Sequence, residues 1–214
     1  MWAETYDRPP NLLIEAEEPL MRSMLEGLDG EIALDAACGT GRLSRLLQER
    51  GFDVIAVDAS APMPERARRS EAATFLAAAD LARLPLRSDS MDVVVCGLAM
   101  THLGRLEDAI AELARVSRRH ATLVVSDIHP IAVATGGQAF FTAADGSRRS
   151  ARNHVHWPSA YAGAFHAAGL VIDRLEEIFV DEEFLQTMAT PQIRADAGAL
   201  LGLPLVLAWR LTKA

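Results

Sequence analysis

The chain has 214 residues, half of them apolar, and a formal net charge of −8. This length and apolar share suffice for one full hydrophobic core, so we expect a single domain over residues 1–214. The acidic charge argues against nucleic acid as the main partner, because phosphate backbones are bound by basic surfaces. No apolar run approaches the roughly 18–20 residues that a membrane-spanning helix needs.

The N-terminus and the cysteines indicate a cytoplasmic protein. Residues 1–11, MWAETYDRPPN, are polar and lack the basic-then-apolar layout of a signal peptide. Cys38 and Cys96 are the only cysteines, and each lies in or beside an apolar run. We therefore expect two buried free thiols rather than a disulfide or a metal site.

The order of patterns along the chain predicts an α/β fold. Residues 11–28 carry leucine and methionine at helical spacing and predict a helix before the first strand. Leu43, Leu46 and Leu47 share the face of a later helix. Alternation of such helices with buried strands predicts a doubly wound, mostly parallel sheet. Short apolar runs predict five of its strands, at residues 32–34, 54–57, 74–78, 93–95 and 122–125.

The pattern changes after the fifth strand. Residues 128–157 show no periodicity, and a loop this long in a compact domain is usually functional or mobile. We expect this cap segment to lie over the ligand site together with the N-terminal helix. A helix at 159–168 and strands at 170–180 and 204–211 follow. No strongly amphipathic crossover helix separates these two strands, which predicts one antiparallel edge strand.

The stretch 34–44, LDAACGTGRLS, follows the first predicted strand, where open α/β sheets bind their ligands. Gly39 and Gly41 allow the backbone to come close to a ligand. However, Ser44 replaces the third glycine of a dinucleotide fingerprint, and Asp35 would repel a pyrophosphate in such a crevice. A ligand with an ammonium and a carboxylate group fits better. The amino-acid end of S-adenosylmethionine is such a ligand.

A second acid points to a nucleoside. Asp58 ends the second predicted strand, VIAVD, seventeen residues after Gly41. A carboxylate at this position accepts hydrogen bonds from ribose hydroxyls. The two acids and the glycine loop, in this order, therefore predict one nucleoside site.

Four stretches resemble successive motifs of the class I S-adenosylmethionine-dependent methyltransferases: LDAACGTGRLSRLL, VIAVDAS, FLAAADLARLPL and MDVVVCGLAMTHL. The likeness is greatest to the small-molecule group that includes quinone-biosynthesis methyltransferases. The resemblance implies a Rossmann-like sheet of seven strands and S-adenosylmethionine as the cofactor. The chain departs from the family at Pro64, where leucine is usual, and at His120-Ala121, where a glycine pair is usual.

The resemblance also implies roles for single residues. Asp35 would hold the methionine amino group, Asp58 the ribose diol, and Asp80 the adenine edge. Tyr6 would close over the cofactor, and residues 97–102 would flank the sulfonium. The expected cofactor-binding set is Tyr6, Asp35, Ala37, Cys38, Gly39, Gly41, Asp58, Ala59, Met63, Asp80, Leu81, Gly97, Leu98 and His102.

The cap segment mixes aromatic and histidine side chains, as pockets for small molecules do. We therefore expect a small, partly apolar acceptor, methylated at oxygen, nitrogen or carbon. The residues predicted to bind this acceptor are Phe140, His154, His156 and Trp157.

Histidine is the natural candidate for a general base, because it accepts a proton near neutral pH. His129 follows a strand end and is the first candidate, and His102 is the second. Two other functions stay open. A nicotinamide-dependent oxidoreductase is disfavoured by Asp35 and Ser44, whereas the motifs do not exclude an S-adenosylmethionine-binding protein with a non-methylating catalytic or regulatory role.

Overall fold

The computed structural model describes residues 11–59, 73–136, 140–142, 148–150, 152–187 and 201–214. The strands are β1 (Ile32–Ala36), β2 (Asp53–Asp58), β3 (Phe75–Ala78), β4 (Met91–Gly97), β5 (Ser117–Ile128), β6 (Phe140–Thr142), β7 (Arg148–Ser150), β8 (Leu170–Phe179) and β9 (Pro204–Lys213). The helices are α1 (Leu12–Met24), α2 (Arg42–Gln48), α3 (Glu107–Val116), α4 (Pro130–Ala134), α5 (Pro158–Ala167) and α6 (Glu182–Thr187), with a 3-10 helix at Met100–His102. In this part of the chain no helix has both the length and the apolar character needed to cross a bilayer.

Seven strands form one sheet in the order β3-β2-β1-β4-β5-β9-β8. The first five strands along the chain pair in parallel, whereas β9 runs antiparallel to both β5 and β8. The predicted seven-stranded, mostly parallel sheet is confirmed, and its antiparallel strand lies next to the edge. The order reverses between β1 and β4, which is where open α/β sheets bind ligands.

Both faces of the sheet are covered by helices. Val94 of β4 packs in one core with Ile110 of α3, and Val95 packs in the other core with Met21 of α1. Successive residues of the strand thus enter opposite cores, which is why the predicted strands are continuous apolar runs.

Helix α1 is shorter than the predicted helix at 11–28 and ends at Met24. At this end, Arg210 of β9 donates hydrogen bonds to the main-chain oxygens of Met24 and Glu26, at 3.3 and 2.9 Å. The guanidinium satisfies carbonyl groups that would otherwise lack a partner at the end of the helix. This side chain therefore caps the C-terminal end of α1.

Regular structure is present in the cap segment 128–157, where the sequence shows no periodicity. It contains α4, with five residues, and the strands β6 and β7, with three residues each. The two strands pair antiparallel to each other, outside the main sheet. Elements this short do not span enough residues to produce a recognisable period.

Candidate functional site

A cavity of about 330 Å³ lies at the carboxyl ends of β1, β2 and β4, beside the reversal of strand order. All described members of the predicted cofactor set line this cavity except Gly41. Tyr6, Met63 and the side chain of Phe140 lie outside the described residues. Thr40, between the two predicted glycines, and Ala99, within the predicted segment 97–102, also line the cavity, and three lining residues were not predicted: Arg42, Leu43 and Leu103.

The turn after β1 reaches the cavity through residues with left-handed backbone conformation. Ala37, Gly39 and Gly41 have φ values of 64°, 53° and 84°. Leu98, directly after β4, has a φ of 52°. Ala37 and Leu98 are strained because a side chain disfavours this conformation. Such strain concentrates at functional sites, and here it occurs at the ends of the two strands that flank the reversal.

Asp35 combines burial with an incomplete set of hydrogen bonds. Its side chain lines the cavity although the residue is only 1% exposed. Oδ2 accepts a hydrogen bond from Ser44 Oγ at 2.5 Å, whereas Oδ1 has no hydrogen-bond partner within the described chain. Burial raises the pKa of Asp35 to about 6, and the Ser44 hydroxyl and the Arg42 charge oppose the rise. A buried acceptor without a donor is costly, so a cationic ligand group beside Oδ1 would be favoured.

Asp58 and Asp80 enter the same cavity from the neighbouring strands. Asp58 ends β2, and its Oδ2 accepts a hydrogen bond from the main-chain nitrogen of Gly39 at 2.8 Å. Asp80 follows β3, and its Oδ1 accepts one from the main-chain nitrogen of Ala82 at 2.9 Å. The three acids meet because the carboxyl ends of parallel strands lie at one edge of the sheet. Together with the apolar lining, this arrangement fits an adenosine that carries an amino acid.

A buried carboxylate that was not predicted lies behind the cavity wall. Glu17 of α1 is 0% exposed and accepts hydrogen bonds from Arg42 Nη2 and Ser126 Oγ. Its place in the sequence offers a signal, because Glu17 stands three and four residues before the buried Leu20 and Met21. An acid on the apolar face of a helix is rarely buried unless it is paired.

His102 is the histidine of the predicted set that lines the cavity. Its Nδ1 lies 3.4 Å from the main-chain oxygen of Arg152, which favours the tautomer with the proton on Nδ1. Burial lowers the pKa of His102, nearby His154 adds to this effect, and the Arg152 carbonyl opposes it. A neutral imidazole with an accepting Nε2 is therefore the favoured form at neutral pH.

Residues 152–157 pack against the 3-10 helix and the residue after it. The main-chain nitrogen of His154 donates to the Thr101 oxygen at 2.7 Å, and Thr101 Oγ1 donates to the His154 oxygen at 3.2 Å. His156 Nε2 lies 2.8 Å from the Leu103 oxygen. The main chain of His154 and the ring of His156 thus hold the chain at residues 101–103, beside the cavity. The neighbouring Trp157 is 51% exposed.

The structure does not bring His129 to the cavity. This residue is 4% exposed, its Nδ1 accepts a hydrogen bond from the main-chain nitrogen of Ile131 at 3.2 Å, and its Nε2 lies 2.9 Å from Glu177 Oε1. Since α4 begins at Pro130, the preceding side chain serves as its N-terminal cap. Both ring nitrogens are therefore used to hold α4 and join it to β8.

Sequence comparison finds relatives for the part of the chain that builds the cavity. The family model of a methyltransferase domain matches residues 34–125. A malonyl-[acyl-carrier protein] O-methyltransferase of Salmonella typhimurium is 37% identical over 116 residues, which are 54% of this chain and 46% of that protein. A demethylmenaquinone methyltransferase of Renibacterium salmoninarum is 32% identical over 102 residues, 47% of this chain and 43% of that protein. The chain thus matches about half the length of these curated relatives.

Structural comparison extends the likeness to nearly the whole chain. A solved S-adenosylmethionine-dependent methyltransferase of Mesorhizobium loti has the same fold, with a TM-score of 0.74. The match covers 95% of this chain and 100% of that one, at 24% sequence identity. The sequence and structural matches overlap at the strand ends that form the cavity.

Proposed function

We propose that this chain is a class I S-adenosylmethionine-dependent methyltransferase that transfers the cofactor's methyl group to a small, partly apolar acceptor. The observation that carries this proposal is the buried Asp35, whose Oδ1 lacks a hydrogen-bond partner among the described residues. It lies in one cavity with Asp58. Acids at these places suit a ligand with an ammonium group and a ribose, and they would repel the pyrophosphate of a dinucleotide.

The roles of the cavity residues follow from their positions. When bound, S-adenosylmethionine supplies a methyl group that its sulfonium already activates for transfer. Asp35 would bind the ammonium group, Asp58 the ribose hydroxyls, and Asp80 with the main chain of Leu81 the adenine edge. Leu81 and Leu98 line the cavity and are 7% and 6% exposed. These two side chains would exclude water from the reacting groups.

His102 is the proposed general base. Its place in the cavity lining and its lowered pKa suit a group that takes a proton from the acceptor. A hydroxyl or carbon acceptor would give up its proton to Nε2, whereas an amine acceptor would only need to arrive unprotonated. His129, the first candidate from the sequence, caps α4, contacts Glu177 and does not line the cavity, which favours His102 for this step.

The acceptor would bind where His102 and Leu103 meet the segment that holds His154 and His156. The histidines supply polar groups there and Leu103 supplies an apolar one, and Trp157 is exposed beside them. Phe140 remains part of the proposal. The names of the two relatives specify one acceptor that is carried on a protein, malonyl-[acyl-carrier protein], and one small molecule, demethylmenaquinone. We propose both as the first acceptors to assay.

Calorimetry with S-adenosylmethionine, S-adenosylhomocysteine and NAD tests the cofactor. We expect the first two to bind and NAD not to bind, and tighter binding of NAD would refute the proposal. Single turnover with methyl-labelled S-adenosylmethionine then tests both acceptors. His102→Ala should lower that rate by a larger factor than it weakens cofactor binding, whereas His166→Ala, an exposed histidine of α5, should change neither the rate nor the affinity.

A further inference from the structure

Helices α1 and α2 are in contact behind the cavity wall, and this contact takes no part in the proposed methyl transfer. Glu17 is fully buried there and receives hydrogen bonds from Arg42 and Ser126. It also packs against the end of β4, since a Cβ added at Gly97 would lie 2.7 Å from Glu17 Oε1 and 2.7 Å from Leu43 Cδ1. The carboxylate is thus held in one place from three sides.

Arg42 lies close to two buried acids. Its side chain is 16% exposed, lines the cavity and forms an ion pair with Glu17. Arg42 and Asp35 line the same cavity, and the charge of Arg42 lowers the pKa of Asp35. Nevertheless, Asp35 Oδ1 makes no hydrogen bond with any described residue. A guanidinium readily forms paired hydrogen bonds with a carboxylate, so the absence of this contact needs a cause.

We propose that Glu17 is a positioning residue that holds the Arg42 guanidinium away from Asp35 and so keeps Asp35 open to the cofactor's ammonium group. The inference rests on the proposed function, because it gives that ammonium group to Asp35. If the charge of Glu17 were lost, Arg42 would turn to Asp35 and occupy the place of the ligand. Helix α1 therefore acts on the cofactor site through Arg42, although Glu17 does not line the cavity.

The variant Glu17→Gln tests this role because it keeps the size of the side chain and an acceptor for Ser126 but removes the charge. Two ligands are titrated by calorimetry: S-adenosylhomocysteine and 5′-methylthioadenosine, which lacks the ammonium and carboxylate groups. We expect S-adenosylhomocysteine to bind about tenfold more weakly to Glu17→Gln, the scale of one charge-assisted hydrogen bond. Binding of 5′-methylthioadenosine should stay within about twofold of the wild-type value, because the contacts to adenosine are unchanged.

A second substitution distinguishes this role from a purely structural one. In the double variant Glu17→Gln/Arg42→Met, no guanidinium is left to occupy Asp35. This protein should bind S-adenosylhomocysteine several-fold more tightly than Glu17→Gln alone. A structural role predicts the opposite, since a second buried substitution would damage the site further. Glu18→Gln, the adjacent half-exposed acid of α1, is the matched control and should leave both affinities unchanged.

Three results would overturn the inference: unchanged affinity of Glu17→Gln for S-adenosylhomocysteine, equal weakening of both ligands, or a double variant that binds more weakly than the single one. If Glu17→Gln does not fold, Ser126→Ala removes the second contact of Glu17 and should give a smaller loss with the same ligand selectivity. If Ser126→Ala weakened the binding of both ligands, the positioning role of Glu17 would also be refuted. Folded wild-type protein that binds no S-adenosylhomocysteine would refute the proposed function instead.

Discussion

Asp58 serves both the local structure and the proposed ligand. Its Oδ2 accepts the Gly39 hydrogen bond and ties the glycine loop to the end of β2. A carboxylate can accept several hydrogen bonds at once, so ribose hydroxyls can bind while this tie persists. Loss of the carboxylate should therefore weaken the ligand directly and also loosen the loop that binds its amino acid.

We expect Asp58→Ala to weaken S-adenosylmethionine binding by about 1–3 kcal/mol, the cost of leaving polar groups without a charged partner. Calorimetry at one pH and one salt concentration measures the change. Asp53→Ala is the matched control, because Asp53 is exposed at the opposite end of the same strand. Equal affinity of Asp58→Ala and wild type would remove Asp58 from the site.

His120 occupies a position where the family usually has glycine, and its φ is 64°. A non-glycine residue in this conformation destabilises the folded state by about 1–2 kcal/mol. Replacement by glycine removes this strain, but glycine also makes the unfolded chain more flexible, which offsets roughly half of the gain in stability. We therefore expect His120→Gly to stabilise the protein by about 0.5–1 kcal/mol in urea unfolding. Arg119→Gly, beside it in β5 and also exposed, should destabilise it by a similar amount. A loss of stability in both variants would show that the backbone at residue 120 is not strained.

Individual residues differ in how far the sequence reveals them. Asp35 and Asp58 could be predicted because each stands at a fixed distance from the glycine loop. Glu17 could not, since its partner Ser126 is 109 positions away in the chain. His129 was a reasonable candidate for a base because it follows a strand end. The sequence could not show that the next residues form a helix for which its ring is the cap.

Elements with long or repeated patterns were predictable, and short ones were not. The five apolar runs correspond to β1 through β5. Of these strands, β1, β2, β4 and β5 are buried on both faces along their apolar runs, whereas β3 lies at the edge of the sheet, has no fully buried residue and was predictable from its apolar sequence alone. The segment 128–157 gave no pattern, since the helix and the two strands in its described residues have five residues or fewer. Pairing of β6 with β7 depends on contacts across a turn, which periodicity does not report.

The docking of α1 can be tested at two adjacent residues. Met21 is fully buried against the sheet, so we expect Met21→Ala to destabilise the protein by about 2–5 kcal/mol. Arg22 is exposed and pairs with Glu18 at 2.9 Å, so Arg22→Ala should change stability by less than about 0.5 kcal/mol. Urea unfolding of the two variants checks the difference. Similar losses in both would mean that α1 does not pack as described.

At the scale of the whole molecule, the resemblance inferred from four motifs is confirmed. The methyltransferase family model covers residues 34–125, and the fold match covers 95% of the chain. The solved structure that shares this fold is an S-adenosylmethionine-dependent methyltransferase, which supports S-adenosylmethionine as the proposed cofactor. The acceptor could not be predicted to the same degree, because it depends on side chains outside those motifs.

Cofactor binding should depend on pH through Asp35. Burial raises the pKa of this carboxyl from 3.8 to about 6, so the folded protein without ligand holds the proton more tightly than the unfolded chain does. Ionisation of Asp35 therefore reduces stability as pH rises from 3.8 to about 6. A bound ammonium group needs the ionised form, and affinity should rise with pH over the upper part of this window and level off above it.

We expect S-adenosylmethionine to bind about tenfold more weakly at one pH unit below the pKa of Asp35 than above it. Calorimetry at pH 5, 6 and 7.5 measures the profile. In Asp35→Asn the profile should be flat and the binding weaker throughout. A flat profile in the wild-type protein would contradict the assignment of the ammonium group to Asp35.

The position of β9 also has a consequence for folding during synthesis on the ribosome. This strand follows both β5 and β8 along the sequence, yet it lies between them in the sheet. While the chain is being synthesised, β8 has no strand to pair with, and β5 keeps an open edge. Such edges can pair with other chains. The nascent protein therefore depends on the ten residues of β9, Pro204–Lys213, to close the sheet after the cofactor-binding half has emerged.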